Sequence, residues 1–220
     1  MIALALPALL AAALPPSVKA ASGDAVCHVQ HALRPHRLMP AAECQEIADA
    51  ANATFAPRLI IAVAIIESDF RADALKRRAR GTYDTGLMGI RCKLARGADR
   101  TTHAMWKTDA GRAAVLDLPC ANWPLEGMTL RELLKPTASI RAAEQILKQK
   151  KRRSRRHYLR LYNGGLREHG YADRVRAVEI ATFEGRRIVL PVRSWKDERA
   201  NKLTLKIVKA AKGPPHEQRT

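Results

Sequence analysis

Apolar and polar positions divide this chain into helices separated by breaks rich in glycine and proline. From Ala41 to Thr54, Cys44, Ile47, Ala48 and Ala51 fall on one helical face. Pro57 then opens a second helix, since proline suits a first turn whose N–H has no partner anyway. Its body from Arg58 to Ser68 is apolar at nearly every position, which predicts a helix buried on most sides. Residues 71–101 are mixed and carry Gly81, Gly86, Gly89 and Gly97, so loops with short helical pieces are expected there. Residues 102–124 show no clear period. Helical spacing returns over Leu130–Leu134 and over Ser139–Lys150, where Ile140, Ala143, Ile146 and Leu147 share a face. Tyr158–Leu161 runs into Asn163-Gly164-Gly165, a strong stop or turn signal. Tyr171–Thr182 is a last amphipathic helix. On this pattern, residues 41–183 form a mostly α-helical domain. Residues 21–40, polar and holding Pro35 and Pro40, are a loosely structured lead-in. Residues 184–220 are a basic C-terminal tail to which the pattern assigns no structure.

Composition agrees with a helical core. The 220 residues are 47% apolar and only 5% aromatic, so Leu, Ile, Val and Ala must fill the interior of one ordinary domain. The formal net charge is +18. Such a field attracts polyanions: nucleic acid, an anionic membrane surface or an acidic cell wall. The N-terminus narrows that choice. Ile2–Leu14 is apolar and uncharged, too short to span a bilayer as a helix. It ends in Pro15-Pro16-Ser17-Val18-Lys19-Ala20, with small residues where a signal peptidase needs them. Residues 1–20 therefore read as a secretory signal cut after Ala20, although no Lys or Arg precedes the apolar run. No second apolar segment is long enough to cross a membrane, and no cysteine adjoins the cleavage site. The expected location is exported: periplasmic or extracellular and associated with the cell wall.

Four cysteines fit that compartment: Cys27, Cys44, Cys92 and Cys120. No pair has the Cys-x-x-Cys spacing of zinc ribbons or redox motifs, so two disulfides are expected. Three pairings are possible. Cys27–Cys44 with Cys92–Cys120 is preferred, because each bond closes a modest local loop.

Glu67 stands out chemically. It follows eight apolar residues, Leu59–Ile66, and shares a helical face with Ile60, Val63 and Ala64. A carboxyl group there loses water, and its pKa should rise. An acid still protonated near neutral pH is what glycoside cleavage requires for donation to a leaving oxygen. The plainer alternative is that Glu67 ends the helix and points to solvent.

Other residues bear on the choice. Glu67-Ser68-x-Phe70 is followed by Gly86-Leu87-Met88-Gly89-Ile90, then by Leu134-Lys135-Pro136 through Ile140-Arg141-Ala142. Tyr162-Asn163-Gly164-Gly165 and Tyr171-x-x-x-Val175 come last. This ordered set, spanning about residues 42–180, resembles the catalytic domain of the soluble lytic transglycosylases. That resemblance implies a lysozyme-like helical fold with a deep substrate cleft. It implies Glu67 as the sole catalytic acid and then base, and Ser68 orienting the substrate's N-acetyl group or Glu67. Tyr162 would set its hydroxyl beside the carboxyl group, and Asn163 would shape the cleft wall. Leu87 and Met88 would line the cleft along the sugar backbone; as plain core they would do neither. One departure affects the site. The family usually has Gln after Gly-Leu-Met, and here that position is Gly89, which removes an amide donor from the cleft.

The implied reaction is non-hydrolytic cleavage between N-acetylmuramic acid and N-acetylglucosamine, leaving 1,6-anhydro ends, with no cofactor and no metal. The alternative is a muramidase, whose inverting form needs a second carboxylate about 6.5–9.5 Å from the acid. Asp69, Asp73 and Asp84 are candidates, and Asp84 lies nearest the cleft motif. The implied partners are peptidoglycan glycan strands, with envelope or secretion-machine proteins as further possibilities. Lys148–Arg156 holds seven cations in nine residues, which reads as a solvated face or an attachment to anionic wall. A non-catalytic basic module for wall or nucleic acid is the rival. Specific nucleic-acid recognition is not expected, because no aromatic interleaves the run for base stacking. The seven histidines are scattered and complete no ligand set.

Overall fold

The computed structural model describes residues 21–78, 81–95, 105, 107–155, 157–162 and 170–211. The expected signal over 1–20 and the expected cleft residue Asn163 lie outside the described residues. Nine helices and one small sheet are seen among the described residues. They run α1 (Gly23–Leu33), α2 (Ala41–Asn52), α3 (Pro57–Ser68), β1 (Leu75–Arg77), β2 (Thr82–Thr85), β3 (Ile90–Lys93), α4 (Asp109–Leu116), α5 (Leu130–Leu133), α6 (Pro136–Arg153), α7 (Tyr158–Tyr162), α8 (Tyr171–Glu184) and α9 (Trp195–Ala211).

The protein is mostly α-helical, as the apolar periodicity predicts. Helix α3 is its centre. Ile60, Ile61, Ala62, Val63, Ala64 and Ile65 are all buried, because no face of this segment is polar enough to meet water. Burying each isoleucine contributes about 1.5–3 kcal/mol. Helix α3 packs on α8 and also touches α2, which in turn meets α1 and α6. Thr129 caps α5 in a capping box with Glu132. The last turn of α6 carries Lys150, Lys151, Arg152 and Arg153, four of the cations in the basic run. There they face the negative end of the helix dipole.

Three segments depart from the sequence expectation. Residues 21–40 are not a loose lead-in but contain α1, which buries Val26, Val29 and Gln30 at helical spacing. Ser22 caps it by accepting from the Ala25 N–H. Residues 75–93 form an antiparallel sheet in the order β1-β2-β3, with Asp84 opposite both Lys76 and Arg91. Its strands are only three or four residues long, and the glycines around them mask their alternation. The C-terminal tail contains α9, which packs on α8 and α1. Arg174 and Asp197 form a buried ion pair at 2.8 Å that fastens it. The Asn201 amide pairs with the Leu190 N–H at 2.8 Å and donates to the Leu190 carbonyl at 2.9 Å, tying down the connector. The body thus extends on both sides of the expected domain limits of 41 and 183.

Both preferred disulfides are present, Cys27–Cys44 and Cys92–Cys120. The first joins α1 to α2 and the second ties β3 to the loop before α5. Two disulfides fit an exported protein. Among the described residues, no helix is long and apolar enough to cross a membrane.

Candidate functional site

Glu67 is the penultimate residue of α3. The helix ends sharply behind it. Asp69 and Phe70 both adopt left-handed backbone angles, φ 53° and 61°, a conformation that costs a residue with a side chain about 1–3 kcal/mol. Tertiary contacts hold the turn. Phe70 is buried in the core. The Asp69 carboxylate receives Arg199 of α9 at 2.5 Å, and its carbonyl accepts from Arg34 Nε at 3.3 Å. The strain therefore sits directly behind Glu67, at the point where the chain leaves the helix.

Ser68 secures the same end. Its hydroxyl donates to the Leu87 carbonyl at 2.7 Å, lies 3.0 Å from the Ala64 carbonyl, and accepts the Arg71 N–H at 2.9 Å. The residue is buried. These contacts lock α3 to the turn at Gly86–Gly89, so Ser68 acts as a fastener behind Glu67 and does not face the cavity.

That turn depends on glycine at two positions. A Cβ on Gly86 would lie 2.0 Å from the Leu133 carbonyl oxygen. A Cβ on Gly89, at φ +58°, would lie 3.0 Å from the Glu67 Cβ and 3.2 Å from its Oε2. Neither the backbone angle nor the space suits a side chain. The glutamine that the family resemblance leads one to expect at Gly89 does not fit this backbone, and Gly89 instead lets the turn press against the Glu67 carboxyl group.

Leu87 and Met88 are fully buried, which corrects the expectation that their side chains line the cleft. Two consecutive apolar residues in a tight turn here both point into the core. Their backbone is what matters: the Met88 N–H donates to Ser139 Oγ at 3.0 Å, and the Met88 carbonyl accepts the Tyr162 hydroxyl at 2.9 Å. Tyr162 therefore spends its hydrogen bond on the turn. Burial, with the Glu67 charge as a second cause, holds its phenol pKa well above the ordinary value.

A second phenol, that of Tyr171, is hydrogen-bonded to the carboxyl group. Its hydroxyl donates to Glu67 Oε1 at 2.6 Å. Burial first, and then the charges of Glu67 and its neighbours, push its pKa well up, so it remains a protonated donor. Its ring is fully buried, with the Arg174 guanidinium 5.9 Å from the ring centroid. Tyr171 appeared in the sequence only as part of a spaced pair with Val175. Glycine runs before it and apolar residues after it, which reads as a helix start and gives no sign of a carboxyl contact 104 residues away.

Glu67, Gly89, Asp84 and Tyr171 line one cavity of about 340 Å³. Ile66 and Ala74 give it an apolar edge, and Trp195 and Lys196 of α9 form another wall. A larger concavity of about 520 Å³, between α1 and Leu134–Pro136, is lined by Asp73 but by none of the other expected site residues. Asp84 is engaged from both sides: Arg78 Nε lies 2.6 Å from one oxygen and Arg91 Nε 3.2 Å from the other. Asp69 and Asp73 are taken up by Arg199 and by Arg37 with Arg71. Comparison with protein-family models, with curated proteins and with solved structures finds no match.

Proposed function

We propose that this chain is an exported lytic transglycosylase that cuts peptidoglycan between N-acetylmuramic acid and N-acetylglucosamine, with Glu67 as acid and then base. The observation that carries this reading is a carboxyl group at the end of a buried aliphatic helix, facing a cavity and held at 2.6 Å by a buried phenol. In the proposed cycle, protonated Glu67 gives its proton to the bridging oxygen, and the bond from that oxygen to the muramic acid C1 breaks. The substrate's N-acetyl group shares the positive charge left on C1. Glu67, now a carboxylate, takes the proton from the same sugar's C6 hydroxyl. The C6 oxygen then closes on C1 as a 1,6-anhydro ring. The acid is restored and no water enters. Tyr171 suits both halves of the cycle, since a hydroxyl donates to a carboxylate and accepts from a carboxylic acid.

Asp84 bears on the choice between transglycosylase and hydrolase. It shares the cavity, but both of its oxygens are met by guanidinium groups. Asp84 is thereby placed as the counter-ion of Arg78 and Arg91. This supports the route that needs one acid only. A lysozyme-like architecture, with the cavity as the substrate cleft, belongs to the same proposal, as does a periplasmic or extracellular site of action on the wall.

Incubation of the mature chain with purified sacculi, followed by mass spectrometry of the soluble products, tests the reading. Anhydro ends are expected. Reducing ends instead would indicate a muramidase, and binding without release would indicate a non-catalytic basic module. Glu67→Gln is expected to cut the rate by roughly a thousandfold, the scale of a lost general acid, with the circular dichroism spectrum unchanged. Full activity in that variant would remove Glu67 from the chemistry.

A further inference from the structure

Helix α9 lies beyond the span that resembles the transglycosylase domain, yet it walls the Glu67 cavity. Its first residue, Trp195, lines that cavity and is 67% exposed. An exposed indole beside a catalytic carboxyl group is a binding surface in search of an occupant. The chemistry of the cavity identifies the occupant. Five basic side chains line it; three of them, Arg78, Arg174 and Arg199, are paired with Asp84, Asp197 and Asp69, and with those partners and Glu67 counted the surroundings keep one net positive charge. Its partner must offer a flat apolar face for the indole and also carry negative charge. A β-1,4-linked hexosamine chain offers the first, because its ring substituents are equatorial and its axial C–H groups cover both faces of each ring. Lactyl carboxylates on rings stripped of their peptide, or the carboxylates of the stems themselves, supply the second.

Resting on the proposed peptidoglycan reading, we infer that Trp195 is the sugar-stacking residue of this site. It holds one pyranose ring of the glycan beside the bond that Glu67 protonates, and the basic lining selects a carboxylate-bearing strand over a neutral one. The position fits the fastening of α9. The Arg174–Asp197 pair, two residues past Trp195, and the Arg199–Asp69 contact fix this end of the helix to α8 and to the turn behind Glu67. The indole is thus carried on a tethered support, although it is itself exposed.

The test is direct binding, measured by calorimetry on the full chain with two soluble ligands. One is a peptidoglycan tetrasaccharide of alternating N-acetylglucosamine and N-acetylmuramic acid; the other is chitotetraose, its neutral counterpart. Glu67→Gln serves as the background so that the ligand is not consumed. Adding Trp195→Ala should weaken tetrasaccharide binding about tenfold, while Trp195→Phe, which keeps an aromatic face, should weaken it less than about threefold. The tetrasaccharide should bind more tightly than chitotetraose, and its advantage should shrink as salt rises. On sacculi, Trp195→Ala in the otherwise wild-type chain should raise KM rather than lower kcat. Unchanged affinity and KM in Trp195→Ala would overturn the inference, as would equal affinity for the two ligands or no binding of either. The two readings separate cleanly. Lysis with normal kinetics in Trp195→Ala sinks the stacking role and leaves the chemistry. A wild-type chain that is inert on sacculi but binds the tetrasaccharide through Trp195 sinks the chemistry and leaves the subsite.

Discussion

The two walls of the Glu67 cavity are held by opposite means. On one side, α3 is fixed by aliphatic burial through its middle turns, with polar residues only at its two ends. On the other, α9 is fixed by polar contacts: the Arg174–Asp197 pair, Arg199 on Asp69, and Asn201 on the connector. Its buried set includes Asp197, Asn201 and Thr204 beside Ala200, Leu203, Ile207 and Val208. The hydrophobic term that holds α3 is insensitive to pH and direction. The polar contacts of α9 are directional, and each is worth something only while both partners remain. Differently placed weaknesses follow for the two walls.

The largest expected effect is on the polar wall. Asp197→Asn removes the carboxylate charge from beside the buried Arg174 guanidinium, and breaking such a buried pair costs about 3 kcal/mol. Urea unfolding should show that loss, and a loss under ~1 kcal/mol would mean that apolar contacts hold α9 after all. The same pair gives stability a pH dependence of known sign. Burial alone would raise the Asp197 pKa, but the bonds from Arg174, Ser194 and the Arg193 N–H outweigh it, and the net shift is downward. A lowered carboxylate pKa stabilises the fold above the unfolded value of about 3.9, and that contribution is lost as pH falls through the folded value. Asp197→Asn should therefore flatten the acid limb of the stability curve.

Next in size is the joint between the walls and the turn. Gly89→Ala forces a side chain into φ +58° and sets its Cβ 3.0 Å from that of Glu67. About 2 kcal/mol of stability should be lost, along with most of the activity, because the neighbour that must shift is Glu67. A variant as active and as stable as the wild type would show that the turn does not press on the carboxyl group. Tyr171→Phe is gentler. The ring still fills its buried site, and only the bond to Glu67 Oε1 is lost. A fall in kcat of about tenfold is expected, the scale of one charge-assisted hydrogen bond. An unchanged kcat would break the assignment of Tyr171 as the donor to Glu67.

The contrast between the walls also explains what the sequence made legible. Helix α3 was readable because eight apolar residues in a row admit one interpretation. Both disulfide pairings were favoured by short loop closure. Helix α9 follows the same i, i+3, i+4 spacing through Ala200, Leu203, Thr204, Ile207 and Val208, but lysines fill its other face and three of its buried residues, Asp197, Asn201 and Thr204, are polar. Nothing local in the sequence says that Asn201 will meet Leu190 or that Asp197 will meet Arg174. The sheet was hidden for a related reason: β2 and β3 alternate cleanly over only four residues each, below the length at which alternation stands out. At the site, Glu67 could be picked out by its surroundings along the chain. Tyr171 could not, since its role arises entirely from α8 packing on α3. Tyr162 lies close enough for the Glu67 charge to act on its phenol, and its hydroxyl also donates to the Met88 carbonyl, a contact nothing local announces.

The smallest expected effect decides the most about mechanism. Asp84 sits in β2 and lines the cavity with Glu67, with Arg78 and Arg91 on its two oxygens. If Glu67 works alone, Asp84 only neutralises those cations at the mouth of the cavity. Asp84→Asn should then lower the rate on sacculi less than about threefold, since partly exposed ion pairs contribute about 0–1 kcal/mol. The products should keep their anhydro ends. A water-activating carboxylate predicts something quite different: a loss of about a hundredfold or more, as for a missing general base, from an enzyme whose products are reducing sugars. Measuring the rate and the product ends of this one variant together separates the two. A large loss with anhydro ends would still leave Asp84 no role as a base, and would point instead to the two arginines, released from their partner, crowding the strand.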